Sequence, residues 1–131
     1  MEILDTVHPT LAERIRKVYF AMQVLGYPMR PTEGLRTLER QQQLYAQGRT
    51  APGSIVTRAD GIVSRSNHQA CPGENFGRAV DSCFVGSDPY LEHHVFGPRL
   101  WEAFGANAVA LGLIWGGRFT TIKDRPHVEY L

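Results

Sequence analysis

Leu11, Ile15, Val18, Met22 and Leu25 recur at spacings of 4, 3, 4 and 3 residues. Side chains at that period share one stripe of an α-helix, so a helix with one apolar face is predicted from about Pro9 to Leu25. Pro9 suits the first turn, where a backbone N–H has no partner to lose, and Gly26 suits the stop. Such a stripe must be covered. With 131 residues and 43% hydrophobic content, the chain holds enough apolar material for one core and too little for two, so residues 1–131 are expected to form one domain.

The remaining segments supply the cover. "YPMRPTEGLR", with two prolines and a glycine, is expected to be an edge strand or extended segment. Thr37 is a suitable cap for a second helix, "LERQQQLYAQG", that stops at Gly48. "RAVDSCFV" has strand character and "GPRLWEAFGANAVALG" helical character, while "LIWGGRF" and "HVEYL" fit a hairpin or two neighbouring strands. Trp101, Phe104 and Leu111 are expected in the core, and Trp115 either in the core or lining a groove. Helices and antiparallel strands in one small unit point to an α+β domain, an antiparallel sheet flanked by helices. Between the second helix and "RAVDSCFV" lies an aperiodic stretch of roughly thirty residues, far above the usual connection length, which signals function or disorder.

Several partner classes are excluded. Fourteen basic against thirteen acidic residues give a net charge of +1, and no Lys/Arg run is long enough to track a polyanion, so nucleic acid is not expected as a partner. No apolar stretch is long enough for a transmembrane segment, and the N-terminal residues carry acids where a secretory signal needs a basic and then an apolar run. Cys71 and Cys83 are too few for a disulfide scaffold.

The chemistry lies in the histidines. His8 stands beside a proline near the N-terminus, where capping suffices to explain it. His93 and His94 are adjacent and point in different directions, which makes a shared ion unfavourable. His68, in "SRSNHQ" within the long loop, precedes a strand carrying Asp81, a carboxylate between Val80 and Phe84 that is costly to bury unpaired. In "DRPHVEY", strand alternation puts His127 and Glu129 on one face and Val128 on the other. Two imidazoles and a carboxylate make a common catalytic zinc shell with an open fourth position, and Asp124, three residues before His127, is placed to serve as a general base. From spacing alone, a turn-capping Asp124 and a partly buried His127 explain the same residues equally well.

Ordered blocks add to that reading. "EGLRTLERQQQLYAQGR", "SNH", "GRAVD", "GLIWGG" and "DRPHVE" together resemble the zinc peptidase family of vancomycin-resistance-type D-alanyl-D-alanine carboxypeptidases and bacteriophage L-alanyl-D-glutamate peptidases. The family pattern S-x-H, G-x-A-x-D and an acid ahead of P-H falls on Ser66, His68, Gly77, Ala79, Asp81, Asp124 and His127. The resemblance implies zinc held on the sheet by His68, Asp81 and His127, with Asp124 as catalytic base. It also implies that Arg36 stabilises the developing oxyanion. Ser66 is expected to orient substrate or loop, and Glu129 to hold the His127 ring from outside the ligand set or to remain solvated.

One departure stands out. His68 and Asp81 are thirteen residues apart, whereas the family usually has about seven; the roughly six extra residues in "QACPGENFG" are tolerable as a bulging loop because closure cost grows slowly with length. Cys71 and Cys83 flank that loop and could join as a disulfide or stay free; Cys71 as a further metal ligand is disfavoured because it would close the open position.

The function implied is hydrolysis of peptidoglycan stem peptides by a monomeric zinc enzyme. It would be made in the cytoplasm without a visible signal peptide, delivered by a holin or a secretion machine, and active on the cell wall. An endolysin-like L-alanyl-D-glutamate endopeptidase is favoured over a D-alanyl-D-alanine carboxypeptidase or a secreted antibacterial effector. A non-catalytic module that binds a wall peptide or protein is the competing class, and Asp124 argues against it.

Overall fold

The computed structural model describes residues 2–131. Helix α1, Pro9–Val24, buries Leu11, Ala12, Ile15, Val18 and Met22, the stripe that the sequence spacing predicts. Its N-cap is His8, whose Nδ1 accepts from the Thr10 N–H at 3.0 Å. The histidine is more than a solvated cap, because its ring is half-buried against Phe76 and Tyr130, with centroids 5.0 and 4.9 Å away. Leu25 leaves the stripe: it is the C-cap and is 55% exposed, since the left-handed Gly26 turns the chain away.

Strand β1, Met29–Glu33, is followed by helix α2, Leu38–Ala46. Strand β2 runs Ala79–Phe84 and helix α3 Gly97–Ala110, and strands β3, Ile114–Trp115, and β4, His127–Glu129, complete the sheet. A short 3-10 turn, Ile3–Thr6, precedes α1 and was not foreseen from sequence. A second one, Gly116–Arg118, follows β3. The sheet order is β1-β2-β4-β3, every neighbouring pair antiparallel. β1 is therefore an edge strand, which suits Pro31 within it. β3 and β4 are neighbours but not a tight hairpin, since the 3-10 turn and the segment through Pro126 lie between them.

α1 and α3 pack against one face of the sheet. Their buried side chains join Val80, Phe84, Trp115 and Val128 in one cluster around Phe104, which is fully buried. Trp115 is a core residue, 3% exposed. It fits only because residue 105 is glycine: a Cβ there would collide with the Trp115 ring. Its indole Nε1–H donates to the Arg125 carbonyl at 2.8 Å, tying the core to the turn ahead of β4. The opposite face of the sheet carries Asp81 and His127, which line a cleft bordered by His68 and other residues of the long loop.

Gly105→Ala should lower stability by about 1–3 kcal/mol through overpacking, although alanine favours a helix interior over glycine by about 1 kcal/mol. Urea unfolding checks this, and a stabilised variant would contradict the close fit.

Candidate metal centre

Sheet register does most of the assembly. Asp81 on β2 lies opposite His127 on β4, and opposite Glu33 on β1 after a register shift between Pro31 and Glu33. His68 enters from the loop, where backbone bonds hold its segment: Arg36 N–H donates to the His68 carbonyl at 2.8 Å and Arg78 N–H to the Asn67 carbonyl at 2.8 Å. The His68 N–H donates to Ser66 Oγ at 3.2 Å. Ser66 thus shapes the loop that aims His68, and it also lines the cleft.

Asp81 Oδ1 is the meeting point, 3.2 Å from His68 Nε2 and 3.2 Å from His127 Nδ1. One ligand atom from each of the three residues lies within 4.8 Å of the others. Bonds of about 2.0–2.1 Å to a tetrahedral ion require ligand atoms about 3.3 Å apart, so the two observed 3.2 Å separations are compatible with a divalent-metal shell. The outer nitrogens agree. His68 Nδ1 is 2.8 Å from the Gly34 carbonyl, which only accepts, so Nδ1 carries a proton and Nε2 is the nitrogen turned toward Asp81 that would bind a metal. His127 Nε2 is 2.7 Å from Glu129 Oε1, leaving Nδ1 to point inward. A donor set of two imidazoles and a carboxylate with this bracing fits Zn(II).

A family model described as D-alanyl-D-alanine carboxypeptidase matches residues 61–130, more than half of the chain. The peptidoglycan L-alanyl-D-glutamate endopeptidase CwlK of Bacillus subtilis is 31% identical over an alignment covering 100% of this chain and 77% of that protein. The chain belongs to the D-alanyl-D-alanine carboxypeptidase family. Among solved structures, the L-Ala D-Glu endopeptidase ChiX of Serratia marcescens superposes with a TM-score of 0.60 at 25% identity, covering 98% of this chain and 84% of that one. The D,D-pentapeptidase VanY of a VanB-type resistance cassette, solved in complex with Zn(II), shares the fold with a TM-score of 0.63 at 18% identity, covering 95% of this chain and 72% of that one.

Asp124 lies in the turn before β4, where its N–H donates to the Gly116 carbonyl at 2.9 Å. A side chain at 116 would collide with the Asp124 carbonyl and come within 2.9 Å of His127 Cβ, so the turn needs glycine there. The Asp124 carboxylate faces the cleft and makes no hydrogen bond among the described residues. Burial, and then the charge of Asp81, raises its pKa, with His127, His68 and Arg36 opposing. Arg36 is no surface residue: its side chain is 8% exposed, with Nε and Nη2 each donating to Glu33 at 2.8 Å and Nη1 to Gln41 Oε1 at 2.8 Å. Nη2 also lies 3.6 Å from Asp81 Oδ2.

Burial alone would raise the pKa of Asp81, but hydrogen bonds from His127 and His68, together with their charge, hold it well below the usual carboxylate range. For His127, burial opposes the charge, yet hydrogen bonds to Asp81 and Glu129 prevail and its pKa is pushed up to about 9. Glu33 is lowered because the Arg36 hydrogen bond and charge outweigh its burial.

Sequence reasoning missed Asn67, Gln41 and Glu33. Asn67 Nδ2 donates to Glu129 Oε2 at 2.7 Å, which braces the carboxylate that braces His127. Fully buried Gln41 joins Arg36 to the loop, its Nε2 donating to the Ala59 carbonyl at 2.8 Å. A weak signal for Gln41 existed: its helix has too few apolar residues to bury, so a glutamine occupies the inner position. Asn67 had none, because its partner lies far along the chain.

Cys71 is exposed, Cys83 buried, and both are free thiols. No disulfide forms, and Cys71 is outside the ligand group. The extra residues fold toward the N-terminal segment instead. Gly77 N–H donates to the Thr6 carbonyl at 2.9 Å, and Arg78 grips Glu74 at 3.1 Å. Cys83 sits further along β2, opposite Arg30.

Both His127 nitrogens face carboxylates in the metal-free protein, so the ring is protonated at neutral pH, and a metal must expel the Nδ1 proton. Calorimetry at pH 7 in buffers of different ionisation enthalpy should show proton release as Zn(II) binds, with affinity rising with pH until about 9 and levelling above it. Asn67→Ala should weaken Zn(II) binding by about tenfold, a typical loss for an outer partner of a ligand. Chelator competition measures it.

Proposed function

We propose that this chain is a zinc peptidase that hydrolyses peptide bonds of bacterial peptidoglycan, the bond most favoured being L-alanyl-D-glutamate. The single observation that carries the reading is the convergence of His68, Asp81 and His127 on one point, with the Asp124 carboxylate in the same cleft. The bond preference is supported by similarity to CwlK and ChiX, both described as L-alanyl-D-glutamate endopeptidases.

Zn(II), when bound, polarises the scissile carbonyl and lowers the pKa of a water toward about 7. His68 would hold it through Nε2, His127 through Nδ1 and Asp81 through a carboxylate oxygen. Asp124 takes the attacking water's proton as the C–O bond forms, and returns it to the leaving amine as the C–N bond breaks. Its raised pKa suits both halves, since a group that holds a proton more firmly than an ordinary carboxylate is a better base and still gives the proton up. Arg36, kept charged and immobile by Glu33 and Gln41, supplies positive charge beside the carbonyl oxygen as it becomes anionic. It retains one Nη1 hydrogen not committed within the protein.

A second reading, D-alanyl-D-alanine carboxypeptidase, has the description of the matching family in its favour. The site chemistry is the same, and only the bond differs. A module that merely binds wall peptide has no use for a carboxylate placed like Asp124. Among the described residues no helix is long and apolar enough to cross a membrane; a holin or a secretion machine is the proposed route to the wall.

Purified peptidoglycan should be cleaved by the zinc-loaded protein, with activity lost to chelator and restored by Zn(II). Asp124→Ala should keep its metal but lose about 10²–10⁴-fold in kcat, whereas His127→Ala should lose metal and turnover together. Mass spectrometry of the fragments identifies the bond. Full activity in Asp124→Ala would remove this mechanism.

A further inference from the structure

The cleft around the ligand group has a volume of about 990 Å³ and is lined by four arginines, Arg36, Arg40, Arg58 and Arg118. Its carboxylates are mostly engaged within the protein. Glu33 grips Arg36 and lies 3.7 Å from Arg40, while Asp81 and Glu129 hold the imidazoles. Arg58 and Arg118 are different. Both are exposed at the cleft, and neither side chain has an ion pair or hydrogen bond among the described residues.

These two arginines stand on opposite flanks. Arg58 follows α2 on the β1 side, next to Ala59, which Gln41 ties to Arg36. Arg118 ends the 3-10 turn after β3, at the other edge of the sheet. That turn adjoins the reacting groups: Gly116 accepts from the Asp124 N–H at 2.9 Å, and the Phe119 ring lies 5.6 Å from the His127 ring. The departing amine receives its proton from Asp124, so the residue that owns the amine lies on the Arg118 flank.

The chemistry of that residue is distinctive. A glutamate whose amine is acylated by alanine has two carboxyl groups, and the peptide continues through one of them. The other remains an anion on the departing residue. Resting on the peptidase reading above, we propose that Arg118 forms a carboxylate-binding subsite for the leaving residue, so that stem peptides with this carboxyl group free are preferred over those in which it is a carboxamide. A guanidinium with no internal partner offers paired N–H donors to a carboxylate and offers a carboxamide much less.

Two peptides differing only in that group, carboxylate or carboxamide, test the subsite. The zinc-loaded wild type should favour the acid by about tenfold or more in kcat/KM, the worth of one charge-assisted contact. Arg118→Ala should abolish most of the preference and Arg118→Lys should restore part of it. Arg58→Ala removes the same charge from the opposite flank and should preserve the ratio, and Arg99→Ala, outside the cleft, should change nothing. Equal turnover of both peptides by the wild type, or a ratio that survives Arg118→Ala, overturns the subsite and leaves the peptidase reading standing. An equal loss of preference in Arg58→Ala overturns it as well, because a diffuse field would then set the preference. If neither peptide is cut, the peptidase reading fails, and calorimetric binding to the zinc-loaded Asp124→Asn protein judges the subsite separately. Tighter binding of the acid, abolished by adding Arg118→Ala, supports it, and equal binding of both peptides overturns it.

Discussion

A carboxylate in the middle of a sheet is tolerable only where opposite charge converges on it, and Asp81 organises the molecule on that condition. One of its oxygens faces two imidazoles and the other faces Arg36. Strand register satisfies the condition. The irregularity in β1 brings Glu33 alongside Asp81, Glu33 fixes Arg36, and β4 sets His127 opposite. A slip of β4 by one residue would turn His127 into the core and Val128 onto the site, so the apolar pattern that buries Val128 also aims His127.

Around that centre each ligand is braced by a partner from another part of the chain. The Gly34 carbonyl sets which nitrogen of His68 carries the proton. Glu129 does the same for His127 and is itself held by Asn67, the neighbour of His68. The loop and the last strand are therefore joined twice, once at the ligand atoms and once behind them. Trp115 adds a third tie from beneath, between the apolar cluster and the Arg125 carbonyl.

Much of this was legible in the residues. The 4-3-4 stripe of α1 from Leu11 to Met22, the capped second helix, the edge position of β1 and the shared face of His127 and Glu129 follow from local periodicity and turn chemistry, which depend on near neighbours. The meeting of His68, Asp81 and His127 was legible only through ordered motifs, because periodicity says nothing about which strands pair. What escaped were long-range polar contacts. Asn67 binds a carboxylate far along the chain, and a buried Gln41 carries only a weak signal beside its exposed neighbours in "QQQ". In sequence Trp115 suits either a groove or a tight core, because a glycine pair stands beside it, and only the contact with Gly105 decides.

The extra residues after His68 leave the cleft and are fastened to the N-terminal segment at Thr6 and His8, so the interval along the chain is uncoupled from the interval in space. Evolution is free to lengthen or shorten that excursion while the coordination geometry stays constant. Any search for such enzymes that demands a fixed gap between the first histidine and the aspartate will therefore pass over chains like this one, whereas a criterion based on strand pairing will find them.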